Sequence, residues 1–184
     1  QVDVLLMQET KLADDAAPAE EFARRGYELA HHGEGRWNGV AIASRVGIAE
    51  VVEAAAGRAS LALLSNKPEA PSRRLLEAFD LARHFHRVLG GDSAFPRKPD
   101  PAGLGHLMAG AGAGPASTLL VGDSMIDVET ARRAGVRIAV ALYGFGAFRG
   151  DLVLSAAEQA WTALRPPDLG RLIDRFLAVA GVSD

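Results

Sequence analysis

Strands and helices are predicted to alternate along the chain from residue 61 onward. Apolar runs with the length of buried strands occupy residues 61–64, 88–89, 118–121 and 137–143. Segments with helical signals lie at 71–79, 101–110, 126–134, 156–164 and 168–179. This alternation predicts right-handed βαβ units around a mostly parallel sheet, so the expected fold class is α/β.

The first 60 residues have a different pattern. A strand-like run at 2–7 precedes a short helix at 18–25 and two strands at 27–31 and 39–44. The stretch 54–60 reads Ala-Ala-Ala-Gly-Arg-Ala-Ser and has low complexity. It predicts a joint between an N-terminal segment and the alternating part of the chain.

Composition and charge limit the classes of partner. The 184 residues are 48% hydrophobic and 23% charged, with a net charge of −3. These values are typical of one globular domain, alone or with an appendage, and they provide no basic field for nucleic acid or an anionic membrane. The longest apolar stretch, 138–148, is shorter than the ~18 residues of a membrane span. The chain has no cysteine and no visible signal peptide, so we expect a reducing, cytoplasmic location. It begins at Gln1 within a strand-like run, as a fragment or processed product would.

The most informative motif follows the strand predicted at 118–121. There the sequence Gly122-Asp123-Ser124-Met125-Ile126-Asp127 presents one acid at a strand end and a second in the first turn of a helix. Strand ends are where open α/β sheets bind ligands, and Mg²⁺ accepts one or two protein carboxylates. The alternative is an ordinary helix N-terminus, where acids interact favourably with the helix dipole.

Two further loops carry groups that suit a phosphate. Ser65-Asn66 follows a predicted strand, and a hydroxyl with a backbone N–H can hold a phosphate oxygen. Lys98 lies between Pro96 and Pro99, which stiffen its loop and would hold the lysine as a fixed positive charge. Taken singly, each also fits a plain turn or a solvated lysine.

The order and spacing of these three loops resemble the haloacid dehalogenase-like (HAD) hydrolases, and most closely their phosphoglycolate phosphatase branch. The resemblance covers residues 58–180. It is strengthened by three fuller strings, Leu64-Ser65-Asn66-Lys67-Pro68-Glu69-Ala70, Gly90-Gly91-Asp92-Ser93 and Tyr143-Gly144-Phe145-Gly146.

The resemblance implies a three-layer Rossmann-like core and Mg²⁺-dependent hydrolysis of a small phosphorylated metabolite. Ser65 and the amide of Asn66 would bind the phosphate, and Lys98 would neutralise its developing charge. Asp123 would ligate Mg²⁺, and Asp127 would ligate it or position another ligand. It does not specify the substrate, because in these phosphatases the cap domain selects the leaving group. It does not specify the oligomeric state either.

Two parts of the family pattern are absent from the sequence. Related phosphatases carry their nucleophile in an Asp-x-Asp-Gly-Thr motif at the end of a first, central strand, and a mobile cap follows it. No Asp-x-Asp occurs upstream of Ser65, and the cap is missing too. We therefore expect a core that lacks its own first strand, and a phosphatase whose turnover is impaired or absent. The alternative is a non-catalytic remnant that binds phosphate or Mg²⁺.

The N-terminal segment resembles a different family. The strings Val2-Asp3-Val4-Leu5-Leu6-Met7-Gln8-Glu9-Thr10-Lys11 and Gly35-Arg36-Trp37-Asn38-Gly39-Val40-Ala41-Ile42-Ala43-Ser44-Arg45 resemble the exonuclease III/AP-endonuclease family, with Glu9 matching its metal-binding glutamate. The predicted organisation is a chimera: a nuclease-like fragment at 1–52, a junction at 53–60 and a HAD-like core at 61–184. A DNA-repair nuclease fragment is thus a second alternative, although ~50 residues are too few to close that family's sandwich.

The geometry of the HAD-like core suggests one more hypothesis. Residues 2–7 could fill the vacant central strand position between the strands that end at Ser65 and Asp123, which would bring Glu9 near the missing nucleophile. The alternative is a loosely packed appendage formed by residues 1–50.

Overall fold

The N-terminal part of the protein forms a small antiparallel sheet. The computed structural model describes residues 4–8, 13–24, 28–32, 40–44, 48–144 and 151–181. The first elements are β1 (Val4–Gln8), α1 (Ala19–Arg24), β2 (Glu28–His32) and β3 (Val40–Ser44). Strand β3 lies in the middle and pairs antiparallel with both β1 and β2. The two strands predicted at 27–31 and 39–44 are confirmed within one residue of these bounds.

Helices and parallel strands alternate through the rest of the chain. In order they are α2 (Ile48–Ala56), β4 (Leu61–Leu64), α3 (Glu69–Ala78), β5 (Phe85–Leu89), α4 (Ala102–Gly110), β6 (Leu119–Gly122), α5 (Met125–Ala134), β7 (Arg137–Ala141), α6 (Ala156–Gln159), β8 (Thr162–Ala163) and α7 (Pro166–Val179). Strands β4 and β5 pair in parallel, and β6, β7 and β8 form a second parallel sheet with β7 in the middle. The predicted α/β class with parallel strands is confirmed.

The hypothesis that residues 2–7 fill the central strand position is wrong for the described residues, 4–8. Strand β1 pairs with β3, and no described strand is hydrogen-bonded between β4 and β6. An antiparallel partner can be reached through a simple return of the chain. Insertion between parallel strands needs a crossover connection and more costly non-local pairing. Glu9 lies outside the described residues.

The core lies around β7 and α5. Ile138, Ala139 and Val140 of β7 are 4%, 0% and 0% exposed, and Val128 of α5 is 0% exposed. Leu104 of α4 joins this cluster, and Leu64 packs against it at the end of β4. The cluster therefore connects the ends of β4 and β6, which carry the predicted phosphate and metal residues.

One predicted helix is longer than the helix in the structure. The helix expected at 156–164 ends at Gln159, because the residues after it pair with β7, where Val140 N–H donates to Trp161 O at 2.9 Å. The joint expected at 54–60 begins as helix, since α2 continues to Ala56 as its alanines favour. Val51 of α2 lies against Gly170 of α7, so this helix packs on the parallel part of the chain. The division at 52/53 and 60/61 stays a prediction.

Candidate phosphate and metal site

The Ser65-Asn66 turn continues directly from β4. The N–H of Ser65 donates to Leu89 O at 2.9 Å, which extends the pairing of β4 and β5 by one residue. The hydroxyl oxygen of Ser65 accepts a hydrogen bond of 3.1 Å from the N–H of Lys67. A serine hydroxyl that accepts one hydrogen bond still has its proton to donate, so this turn can serve an anionic oxygen.

The side chain of Asn66 connects this turn to the loop of Lys98. Its Nδ2 donates to Lys98 O at 2.9 Å, and its Oδ1 accepts from Lys98 N–H at 2.8 Å. Both main-chain polar groups of Lys98 are therefore bound to one carboxamide. The Lys98–Pro99 peptide bond is cis.

Lys98, in the loop after β5, forms an ion pair with Asp127 of helix α5, which follows β6. The pair therefore links the two parallel sheets. The ammonium Nζ lies 2.6 Å from Oδ1 of Asp127, and the two side chains are 14% and 7% exposed. Water is largely excluded from this pair, so its electrostatic interaction is screened less than that of a surface pair. The lysine is thus a held charge, as its flanking prolines predicted, rather than a solvated one.

Asp127 is surrounded by donors. Its Oδ2 accepts from the N–H of Asp123 at 3.2 Å, and from the N–H and hydroxyl of Ser124 at 3.1 and 2.6 Å. Burial raises the pKa of the Asp127 carboxyl, but Lys98 and these hydrogen bonds outweigh it and hold the pKa below its ordinary value. Lys98 binds Oδ1 and the Ser124 turn binds Oδ2, so both carboxylate oxygens of Asp127 already accept hydrogen bonds.

Asp123 is the first acid of the strand–helix corner that also carries Asp127. It lies half-buried directly after β6, and a Cβ added to Gly144 would overlap its side chain. Within the described part of the chain, no group of three or more His, Cys, Asp or Glu side chains could hold a metal ion. Mg²⁺ does not require such a group, because it keeps several waters and takes one or two carboxylates together with substrate phosphate. A single carboxylate at a strand end is compatible with that donor set.

The structure brings Ser65, Asn66, Lys98, Asp123 and Asp127 into one connected site. Sequence reasoning assigned no role to Ser124, although a serine three residues before an acid at a helix start is the capping-box pattern. It also missed the close approach of Gly122, where an added Cβ would overlap the side chain of Asp127. Phe145 and Gly146 of the quoted motif lie outside the described residues, as does Glu9.

Comparison with known proteins decides the family. The profile described as Haloacid dehalogenase-like hydrolase matches residues 11–141. The chain belongs to this family. The match starts within the segment 1–52 that resembles exonuclease III, and so overlaps it from residue 11.

Individual relatives carry phosphatase names. The chain is 40% identical over 134 residues to a phosphoglycolate phosphatase of Rhodospirillum rubrum, covering 72% of this chain and 55% of that protein. It is 33% identical over 117 residues to one of Aquifex aeolicus, covering 64% of this chain and 52% of that protein. The chain therefore spans about half the length of these relatives.

A solved structure agrees with this assignment. The structure of a predicted phosphoglycolate phosphatase from Haemophilus somnus aligns with a TM-score of 0.61 and 28% identity, over 68% of this chain and 55% of that one. A HAD-superfamily hydrolase from Geobacter sulfurreducens, at 24% identity and a TM-score of 0.58, shares the fold. No helix among the described residues is long and apolar enough to cross a membrane.

Proposed function

We propose that this chain carries the phosphate- and Mg²⁺-binding part of a HAD phosphomonoester hydrolase. The observation that supports this most is the Asn66–Lys98–Asp127 connection. It holds a nearly buried ammonium group between the strand end at Ser65 and the strand end at Asp123. A fixed cation between two strand ends is better explained by binding of a phosphoryl group than by stabilisation of the loop alone.

Each residue has a role in this proposal. The hydroxyl of Ser65 and the main-chain N–H of Asn66 bind phosphate oxygens, and Lys98 offsets the charge that develops on them. Asp123 would hold Mg²⁺, which supplies charge neutralisation for a bound phosphoryl group. Asp127 holds Lys98 and orders the turn at Ser124.

Turnover by the chain as given is proposed to be impaired or absent. No Asp-x-Asp motif precedes Ser65 in the sequence, so the residues above bind and polarise a phosphate without an attacking carboxylate. The same observation favours the alternative, a non-catalytic protein that binds phosphate or Mg²⁺. The substrate class that we propose is a small phosphorylated metabolite, with phosphoglycolate as the first candidate because the relatives are named for it.

Two measurements on the purified chain separate these possibilities. The first is orthophosphate binding by calorimetry with and without Mg²⁺, for which we expect saturable binding that Lys98→Met weakens. The second is phosphate release from phosphoglycolate, for which we expect little above buffer.

The outcomes are distinct. Mg²⁺-dependent release that Lys98→Met abolishes would show a working phosphatase and would overturn the proposal of impaired turnover. Absence of orthophosphate binding by the wild-type chain, with and without Mg²⁺, would overturn both the proposed hydrolase and the phosphate-binding form of the alternative.

A further inference from the structure

We propose that the side-chain carboxamide of Asn66 is a positioning residue for Lys98, a role beyond the phosphate contact of its main-chain amide. This inference rests on the proposed function, because it concerns where the phosphate-binding charge is held. It also makes a structural claim that can be tested without any phosphate.

The first support is the chemistry of the contact. The hydrogen bonds of 2.9 and 2.8 Å join one planar amide to the C=O and the N–H of the same residue, 32 positions further along the chain. A primary amide offers a donor and an acceptor on one planar group at neutral pH, without carrying a charge. Aspartate would lose the donor, alanine would lose both bonds, and glutamine would move the amide outward by one methylene group.

The second support is that Asn66 is itself held from the opposite side. The N–H of Gly91 donates to Lys67 O at 2.8 Å, and a Cβ added to Gly91 would overlap the main-chain carbonyl of Asn66. The turn therefore lies against the Gly90-Gly91 backbone and has little room to shift. A displacement of the Lys98 loop would therefore distort the hydrogen bonds of the Asn66 carboxamide.

The third support is the length of the lysine side chain. Its four-carbon stem is flexible, so a movement of the main chain would displace the ammonium group. In the structure Nζ nevertheless has a fixed place, 2.6 Å from Asp127 in a nearly buried pair. Fixing both polar groups of the Lys98 backbone fixes the starting point and direction of that stem. Asn66 thus serves the site twice, with its main chain toward the phosphate and its side chain toward Lys98.

The direct test observes the ammonium group by NMR. The chain has three lysines, Lys11, Lys67 and Lys98, so the ¹⁵Nζ spectrum is simple, and Lys98→Met assigns the signal of interest. We expect a slowly exchanging Lys98 ammonium in the wild type that is lost or broadened in Asn66→Ala. The matched control is Ser72→Ala in helix α3. It removes a buried hydroxyl that donates to Pro68 O, just before the helix, and it should leave the Lys98 signal intact.

A double-mutant cycle tests whether Asn66 acts through Lys98. Asn66→Ala should weaken orthophosphate binding by about tenfold in the wild-type background and by less than about twofold in the Lys98→Met background. An equal loss in both backgrounds, or an unchanged Lys98 signal in Asn66→Ala, would overturn the inference. If Asn66→Ala does not fold, Asn66→Asp repeats both measurements, since it keeps the acceptor for Lys98 N–H and loses the donor. If the wild type binds no phosphate, the proposed function fails, and the Lys98 signal alone decides the role of Asn66.

Discussion

Apolar strands of the two parallel sheets differ in how far they are exposed to solvent. Strand β7 has a neighbour on each side, and its residues from Ile138 to Ala141 are at most 7% exposed. Strand β4, with the sequence Leu-Ala-Leu-Leu, has β5 on one side, and all four of its residues are only half-buried. Strand β6 is intermediate, with Leu120 at 9% and Val121 at 42% exposure. Hydrophobic composition predicted all three strands, but the packing of helices and strands around each one decides how much of it is removed from water.

The site joins these two unequal sheets. Ser65 and Asn66 follow the half-buried β4, whereas Asp123 and Asp127 follow β6 beside the well-packed core. Lys98 connects the two sides through Asn66 and Asp127. Substitutions in β7 and in β4 should therefore change the free energy of unfolding by different amounts. The Lys98–Asp127 ion pair should depend on both sheets.

Truncation of one apolar strand residue in each sheet tests the difference in burial. Ile138→Ala should lower the free energy of unfolding by about 3–4 kcal/mol, because it leaves a cavity in a close-packed site. Leu63→Ala should lower it by about 1 kcal/mol, because the half-buried side chain loses less contact and water can fill the space. Urea unfolding of both variants measures this, and equal losses would contradict the contrast drawn between β7 and β4.

Removal of the charge on Asp127 tests the connection between the sheets. Asp127→Asn should cost about 2–3 kcal/mol of unfolding free energy, because Lys98 would be left nearly buried without its counter-charge. Asp123→Asn is the matched control, since it changes the neighbouring acid of the same motif and should cost about 1 kcal/mol or less. A larger loss for Asp123→Asn than for Asp127→Asn would show that Asp123, and not Asp127, is the main counter-charge of Lys98.

The lowered pKa of Asp127 predicts a pH dependence with a definite sign. A carboxyl whose folded pKa lies below its unfolded value of 3.8 stabilises the protein above that pH, and the contribution is lost as pH falls through the folded pKa. The stability difference between the wild type and Asp127→Asn should be constant above about pH 5 and shrink below 3.8. A difference that grows as pH falls would exclude the ion pair as its cause.

The smallest effect is expected at the far side of the β7 sheet. The hydrogen bond from Arg132 is the main cause that lowers the pKa of Glu158 to about 2, in a pair of 2.7 Å whose arginine is 43% exposed. Solvent screening limits what such a pair contributes, so Glu158→Gln should cost about 0.5–1 kcal/mol above pH 4.5 and less as pH approaches 2. Thermal unfolding at pH 7 and pH 3 compares the two conditions, and a loss as large as that of Asp127→Asn would contradict this ranking.

Several features were determined by sequence alone because their causes are local. Apolar runs of strand length, interrupted by helical segments, determine the α/β class. A glycine and two acids at a strand-helix corner, a hydroxyl at another strand end and a lysine between prolines identify the candidate site and the family. These signals depend on residues within a few positions of one another.

Only the tertiary structure decided the partners of these elements. Strand β1 pairs with β3 rather than between β4 and β6, and residues 162–163 pair with β7 rather than extending helix α6. Asp127 pairs with Lys98, and the side chain of Asn66 forms hydrogen bonds with a residue 32 positions away. Such choices depend on contacts between distant segments, whose free energies are settled by packing and burial in the folded chain and leave no local pattern in the sequence.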